Sequence, residues 1–286
     1  MRPNPHQFAA FAHVIREGSF SRAADRLGVT QSAVTQHVAK LERAVGSSLL
    51  HRNSQGVTLT KAGQEFYELA DRLVTLDTLI AEKIAGYSSL EQGRLTVIAN
   101  APRPALGLLA RFRQAHPDVE VDFTLFDWTE AMRLLRQRLV DVAIVTEPDR
   151  IGSCFSRQIG AARYVAYVQA VHPLAARREI SLRDLAADTV LVPEEGSFTA
   201  RILARKLTEH GITFPRRIRT TTFPVMKEAI LHGVGSGVFL EDSAFDLGAL
   251  RTVPLTEMPE TYRTMIVSPA DKCDLKAVRS FIDLAV

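Results

Sequence analysis

Hydrophobic positions recur at helical spacing through the first third of the chain and in strand-like runs beyond it. Residues 4–60 alternate short helical stretches with tight polar turns. Ala23, Ala24 and Leu27 form one apolar face, with Ser19 or Ser21 placed to cap its start and Gly28 to end it in the left-handed conformation. The small Ala23 and Ala24 let another helix cross closely. Thr30 stands at the N-cap of a second helix, along which Val34, Val38, Leu41 and Val45 repeat at 4, 3, 4 and face the core. LLHRNSQGVTLT predicts a hairpin, with Leu50 and His51 on one arm, 53–56 as the turn and 57–60 on the other. From Lys61 to Gly86 the pattern predicts one uninterrupted helix in which Phe66, Leu69, Leu73, Leu76 and Ile80 are spaced 3, 4, 3, 4. That is the a/d seam of a short coiled coil, read as a dimerisation face; an amphipathic helix packed on its own domain is the alternative.

After a polar hinge, GYSSLEQGR, strands and helices alternate to the end. RLTVIAN, VEVDFTLFD and DVAIVTE read as strands, with helices over PALGLLARFRQAH and TEAMRLLRQRL between them. A second set follows: the strand YVAYVQAV, a short helix at LRDLA, the strand TVLVPEE, the helix FTARILARKLTEHG, the strand RRIRTTT and the helix VMKEAILHG. Such alternation predicts crossover units on a mainly parallel sheet, and the changed spacing predicts two α/β lobes with a cleft between them.

Composition narrows the class. With 286 residues, 46% hydrophobic and 23% charged, the chain is expected to be globular rather than disordered. The N-terminus has no apolar core ending in a cleavage site, and no stretch approaches the roughly 20 apolar residues of a spanning helix, so a cytoplasmic protein with no membrane partner is expected. Cys154 and Cys273 have no Cys or His neighbour at ligand spacing and read as structural thiols. The histidines lack zinc spacing, so no metal site and no cofactor are expected.

Net charge is only +3, yet Met1 to Glu65 holds eight bases against four acids, leaving the rest near neutral. A compact basic module points to nucleic acid, because neutralised phosphates dominate DNA affinity. The polar face of the second helix carries Gln31, Ser32, Thr35, Gln36, Lys40 and Arg43. Short polar and amide groups near its N-terminus suit base edges, and the bases further along suit phosphates. Arg22 joins them on the preceding helix. Arg52, Asn53 and Gln55 at the hairpin tip suit a wing that reaches the backbone or minor groove.

The runs FSRAADRLGVTQSAVTQHVAKLERAVG and LLHRNSQGVTLTKAGQEF resemble the LysR-type transcriptional regulators of bacteria, entering that family's linker helix. The resemblance is strong over about the first 65 residues and architectural beyond them. One departure is His51 before Arg52, where the family more often has an aromatic. The resemblance implies an α+β multidomain chain: a winged helix-turn-helix over 1–60, a linker and dimerisation helix with hinge over 61–92, and a two-lobed α/β effector domain of the periplasmic-binding-protein type (type II) over 93–286. Lobe I is expected at about 93–162 and 267–286, and lobe II at about 163–266.

Ligands of α/β domains collect where strand ends meet helix starts. The candidate effector-binding residues are therefore Asn100, Ala101, Pro102, Arg103, Thr129, Thr146, Glu195, Ser197, Phe198 and Phe223. Free N–H groups at the helix starts near Arg103 and Ser197 favour an anionic group, while Glu147, Glu194 or Glu195 would receive an amine; an anionic or zwitterionic metabolite is expected. GVGSGVF, 233–239, fits neither a phosphate loop nor a nucleophile elbow and reads as a tight helix-to-strand turn. No catalytic residue is assigned and no enzyme is expected.

The expected function is a sequence-specific transcription regulator controlled by a small metabolite. Its partners would be double-stranded promoter DNA, a second copy of the chain as homodimer or dimer of dimers, and RNA polymerase as a candidate. Two other classes stay open on the sequence: a small-molecule receptor without DNA function, which leaves the basic head unexplained, and a sequence-independent architectural DNA protein, which has no need of a cleft.

Overall fold

The N-terminal helices start and stop where short polar side chains and glycines dictate. In this computed structural model, which describes residues 3–53, 56–84, 93–244 and 247–285, helix α1 spans Pro5–Glu17, α2 Phe20–Leu27 and α3 Gln31–Val45. Ser19 caps α2 by accepting from the Arg22 N–H, and Gly28 ends it at φ 64°. Thr30 caps α3 through the Ala33 N–H. Strands β1 (Leu50–Asn53) and β2 (Gly56–Leu59) pair antiparallel, with Leu50 opposite Leu59 and Asn53 opposite Gly56. Gln55 of the wing tip and residues 85–92 of the hinge lie outside the described residues.

Helix α4, Lys61–Ile84, has two working faces. Tyr67, Ala70 and Val74 join Phe11, Val34, Val38 and Leu41 in the head's core. The predicted seam lies elsewhere: Leu69, Leu73, Leu76 and Ile80 are exposed, at 60%, 37%, 55% and 51%, whereas Phe66 packs half-buried on the head.

The rest of the chain builds one continuous sheet in two halves. Lobe I holds β3 (Gly93–Ala99), α5 (Pro102–Ala115), β4 (Val119–Leu125), α6 (Trp128–Arg136) and β5 (Val142–Thr146). Strand β6, Cys154–Gln169, then crosses into lobe II. There lie α7 (Leu182–Ala186), β7 (Val190–Pro193), α8 (Phe198–Glu209), β8 (Arg217–Thr220), α9 (Phe223–Leu231), β9 (Ser236–Leu240) and β10 (Leu250–Pro254). Strand β11, Thr261–Pro269, returns to lobe I, and α10, Lys276–Asp283, closes it.

The strand order is β4-β3-β5-β11-β6-β9-β7-β8, with β10 also on β6. Within each lobe the outer strands are parallel, as alternation predicts. The expectation of a mainly parallel sheet needs correction at its centre, where β6 and β11 pair antiparallel with each other and with their neighbours. The chain leaves lobe I on β6 and comes back beside it on β11, so adjacent crossing strands must point in opposite directions. The sequence reading of β6 began near Tyr164 because its first half alternates half-exposed positions instead of presenting an apolar run. At GVGSGVF, Gly233 ends α9 at φ 74° and Ser236 opens β9.

Candidate DNA-binding face and ligand cleft

Helix α3 lays Val34, Val38 and Leu41 into the core, which turns the opposite face outward. Gln31, Ser32, Gln36 and Lys40 are exposed there and Thr35 is half-exposed. Gln31 is oriented by Ser21, whose hydroxyl donates to its side-chain carbonyl at 2.9 Å. The Thr35 hydroxyl donates to the Gln31 backbone carbonyl at 2.9 Å, which commits its proton to the helix and leaves its oxygen lone pairs able to accept. Arg22 and Arg52 are exposed on α2 and the wing, and Asn53 ends β1. The Arg52 guanidinium lies 4.3 Å over the Phe20 ring, so α2 supplies the aromatic partner that His51 does not. His13 of α1 is held down to about 4 by burial and by Arg16 and Arg26, so it adds no charge to the head at neutral pH.

The second site lies between the lobes, a cavity of about 170 Å³. It is of the size that takes a benzene-sized molecule, about 150 Å³. Asn100, Ala101, Pro102, Thr146, Ser197, Phe198 and Phe223, all expected from the sequence, line it together. Asn100 accepts from the Thr146 N–H at 3.1 Å, and the Trp128 indole donates to the Thr146 carbonyl at 2.9 Å. The Thr146 hydroxyl is buried without a partner among the described residues. The cleft-facing first turns of α5, α8 and α9 carry no side-chain cap, unlike α6, where Asp127 accepts from the Glu130 N–H.

Three expected residues sit outside this lining. Thr129 donates both its N–H and its hydroxyl to the Gly196 carbonyl, at 3.2 and 3.0 Å, and so ties lobe I to lobe II. Arg103 donates to the Asp242 carbonyl. Glu195 turns away to Arg219 at 2.8 Å. Glu147, strained at φ 42°, is engaged by Arg263, whose hydrogen bonds hold its carboxyl below the usual range. Glu194 is left on the wall beside Asp127; burial, and then the Asp127 charge, push its carboxyl up. Trp128, the first residue of the capped helix α6 and neighbour of the expected Thr129, lines the cavity as well. Tyr164 also lines it and was missed, because within β6 it carries no local signal.

A third constellation joins the head to lobe I. Asp71 of α4 is fully buried and receives Arg16 of α1 at 2.6 Å, Arg138 at 2.9 Å and Lys272 at 3.6 Å. Burial alone would raise this carboxyl, yet Lys272, Arg16 and Arg138 together hold it below its usual range. Among the described residues, no group of His, Cys, Asp and Glu is placed to hold a metal ion, and no helix is long and apolar enough to cross a membrane.

Residues 5–64 match the bacterial regulatory helix-turn-helix proteins of the lysR family, and residues 88–286 match the LysR substrate binding domain. The regulator CfxR of Cupriavidus necator is 30% identical over 231 residues, covering 80% of this chain and 73% of that protein. The RuBisCO operon transcriptional regulator of Allochromatium vinosum is 29% identical over 258 residues, 89% of this chain and 85% of that one. A full-length OxyR variant from Pseudomonas aeruginosa shares the fold with a TM-score of 0.79 at 19% identity, covering 100% of this chain and 95% of that one. The regulatory domain of Synechocystis CcmR, solved in complex with 2-PG, superposes with a TM-score of 0.60 at 22% identity over 68% of this chain and 96% of that one. A winged helix-turn-helix, a linker helix and a two-lobed cleft in one chain, matched along nearly its whole length, make this protein a member of the LysR family: a DNA-binding transcriptional regulator with an effector-binding domain.

Proposed function

We propose that the regulator reads DNA with Gln31, Ser32, Thr35 and Gln36 in the major groove, while Arg22, Lys40, Arg52 and Asn53 hold the backbone. The division that supports this is a head over 1–60, a linker over 61–92 and an effector domain over 93–286, with lobe I at 93–162 and 267–286. The observation that carries the reading is the exposed polar N-terminal half of α3, opposite its buried Val34, Val38 and Leu41. The protein works as a homodimer, or a dimer of dimers, on an interrupted inverted repeat. Its place of action is the cytoplasm, its output passes to RNA polymerase, and it performs no catalysis of its own.

Mobility shifts on an operator selected from random DNA test this. Gln31→Ala and Thr35→Ala are each expected to cost about 1–3 kcal/mol on the selected site and little on scrambled DNA. Arg52→Ala should weaken both DNAs alike and flatten the salt dependence. Equal losses on both DNAs from the first two variants would refute base reading.

The effector we propose is a compact anion, a carboxylate or phosphate, that also carries a hydroxyl or amino group. Three uncapped helix starts offer N–H donors, the unpartnered Thr146 hydroxyl offers one more, and Glu194 suits the second group. In a thermal-shift screen, small anions should raise the melting temperature, and Thr146→Val should weaken the best one roughly tenfold, the worth of one hydrogen bond to a charged group. Stabilisation by amines lacking an acid group, with none by anions, would contradict the assignment.

A further inference from the structure

We infer that the buried cluster around Asp71 is a releasable ionic joint, through which lobe I of the effector domain fixes the position of the DNA-reading head. Asp71 sits on the inner face of α4, one turn beyond Tyr67, whose hydroxyl lies 3.5 Å from the carboxylate. Three cations from three segments converge on it: Arg16 from the end of α1, Arg138 from the turn after α6, and Lys272 from the turn after β11. The first belongs to the head and the other two to lobe I, so one carboxylate is shared across the junction.

Two features mark this as a joint built for its purpose and able to open. Arg138 adopts φ 58°, a conformation that side chains other than glycine rarely take, and there its guanidinium reaches Asp71 and Asp271 at once. Strain held at a charged residue that bridges two domains points to a role for the bridge. The charges are also arranged so that each side stays paired if the domains part. On the head, Asp71 keeps Arg16. On lobe I, Arg138 keeps a two-bonded contact with Asp271 at 2.9 and 2.8 Å, and Lys272 keeps Asp141 at 2.9 Å with the carbonyls of Arg138 and Val140. Opening therefore strands no lone buried charge, the outcome that makes breaking most buried ion pairs expensive. A second tie lies nearby, where Arg94 of β3 bridges Glu17 of α1 and Asp122 of β4. The joint thus gives the effector domain a second state of the head to choose between, which is the requirement for a ligand in the cleft to act on DNA.

Hydrogen exchange of the full chain tests the joint. Arg138→Asn keeps a residue that tolerates the left-handed conformation and removes the reach to Asp71. Asp71→Asn keeps an acceptor for Arg16 and removes the charge. In both variants, peptides over 70–76 and 270–273 should exchange about tenfold faster together, while peptides of α3 and β5 keep their rates. The double variant should open no further than either single one. Affinity for the selected operator should shift about fivefold or more, the scale of an allosteric coupling. Faster exchange on one side only, or throughout both domains in both variants, would overturn the joint. Unchanged operator affinity despite opened peptides would overturn its role in positioning the head, and the exchange arm stands or falls independently of which α3 residues read bases.

Discussion

Gly63→Ala is expected to destabilise the head by roughly 2 kcal/mol or more, although alanine is the better helix former. An added Cβ at Gly63 would lie 2.0 Å from the Leu49 carbonyl oxygen. Thr60 pins that carbonyl in place: its N–H donates to it at 3.0 Å, while its hydroxyl donates to Ser48 and accepts from Gly63. The gain in helix propensity is about 1 kcal/mol. Overpacking against backbone costs about 3 kcal/mol, because no side chain can rotate away, so the clash wins. Gly107 on α5, where a Cβ meets nothing within 4 Å, is the control and should gain up to about 1 kcal/mol on the same substitution. Urea denaturation compares the two variants directly. If Gly63→Ala is as stable as Gly107→Ala, α4 and the wing do not pack as described. The functional consequence follows from place, since pushing α4 off Leu49 moves the wing that begins at Leu50.

The second large effect concerns assembly. Replacing Leu73 and Leu76 together by Asp is expected to convert the proposed dimer to monomers and to weaken binding to a two-half-site operator by a hundredfold or more. Both leucines are exposed in the single chain, so the fold should survive. In a paired seam each leucine contributes about 1.5 kcal/mol or more when its exposed part is covered. Four carboxylates facing one another in an apolar groove lose that and add repulsion and desolvation. Once the two heads are no longer linked, the second half-site is no longer bound intramolecularly, a factor of about 10² to 10⁴. Sedimentation velocity and mobility shift on one-half and two-half operators check both steps. Dimers that persist with both Asp present would place the interface elsewhere on the chain.

The two effects differ in how they could be read from the chain. The exposed apolar stripe of α4 was legible because five apolar side chains repeat on one helix, although Phe66 proved to belong to the head. The clash at Gly63 was not, because its partner, Leu49, is brought close only when the hairpin folds onto α4. In the cleft the same division holds. Asn100, Pro102, Ser197 and Phe223 follow from the rule that ligands meet helix starts. Which of Glu147, Glu194 and Glu195 faces the cavity was decided by Arg263 and Arg219, each distant in sequence.

What the sequence determined by itself is everything carried within a helical turn or two: the caps at Ser19 and Thr30, the stop at Gly28, the buried stripe of α3 and, by complement, its exposed polar side. These signals are local because a cap or a stripe involves groups within about four residues of one another. Only the tertiary structure decided the antiparallel crossing of β6 and β11, the convergence of three helix starts on the cavity that Thr146 lines, and the meeting of Arg16, Arg138 and Lys272 at Asp71. Those pairings join segments separated by tens to hundreds of residues. A lone Asp on a helix reads as solvated until folding closes the distance and burial removes the water that would otherwise satisfy it.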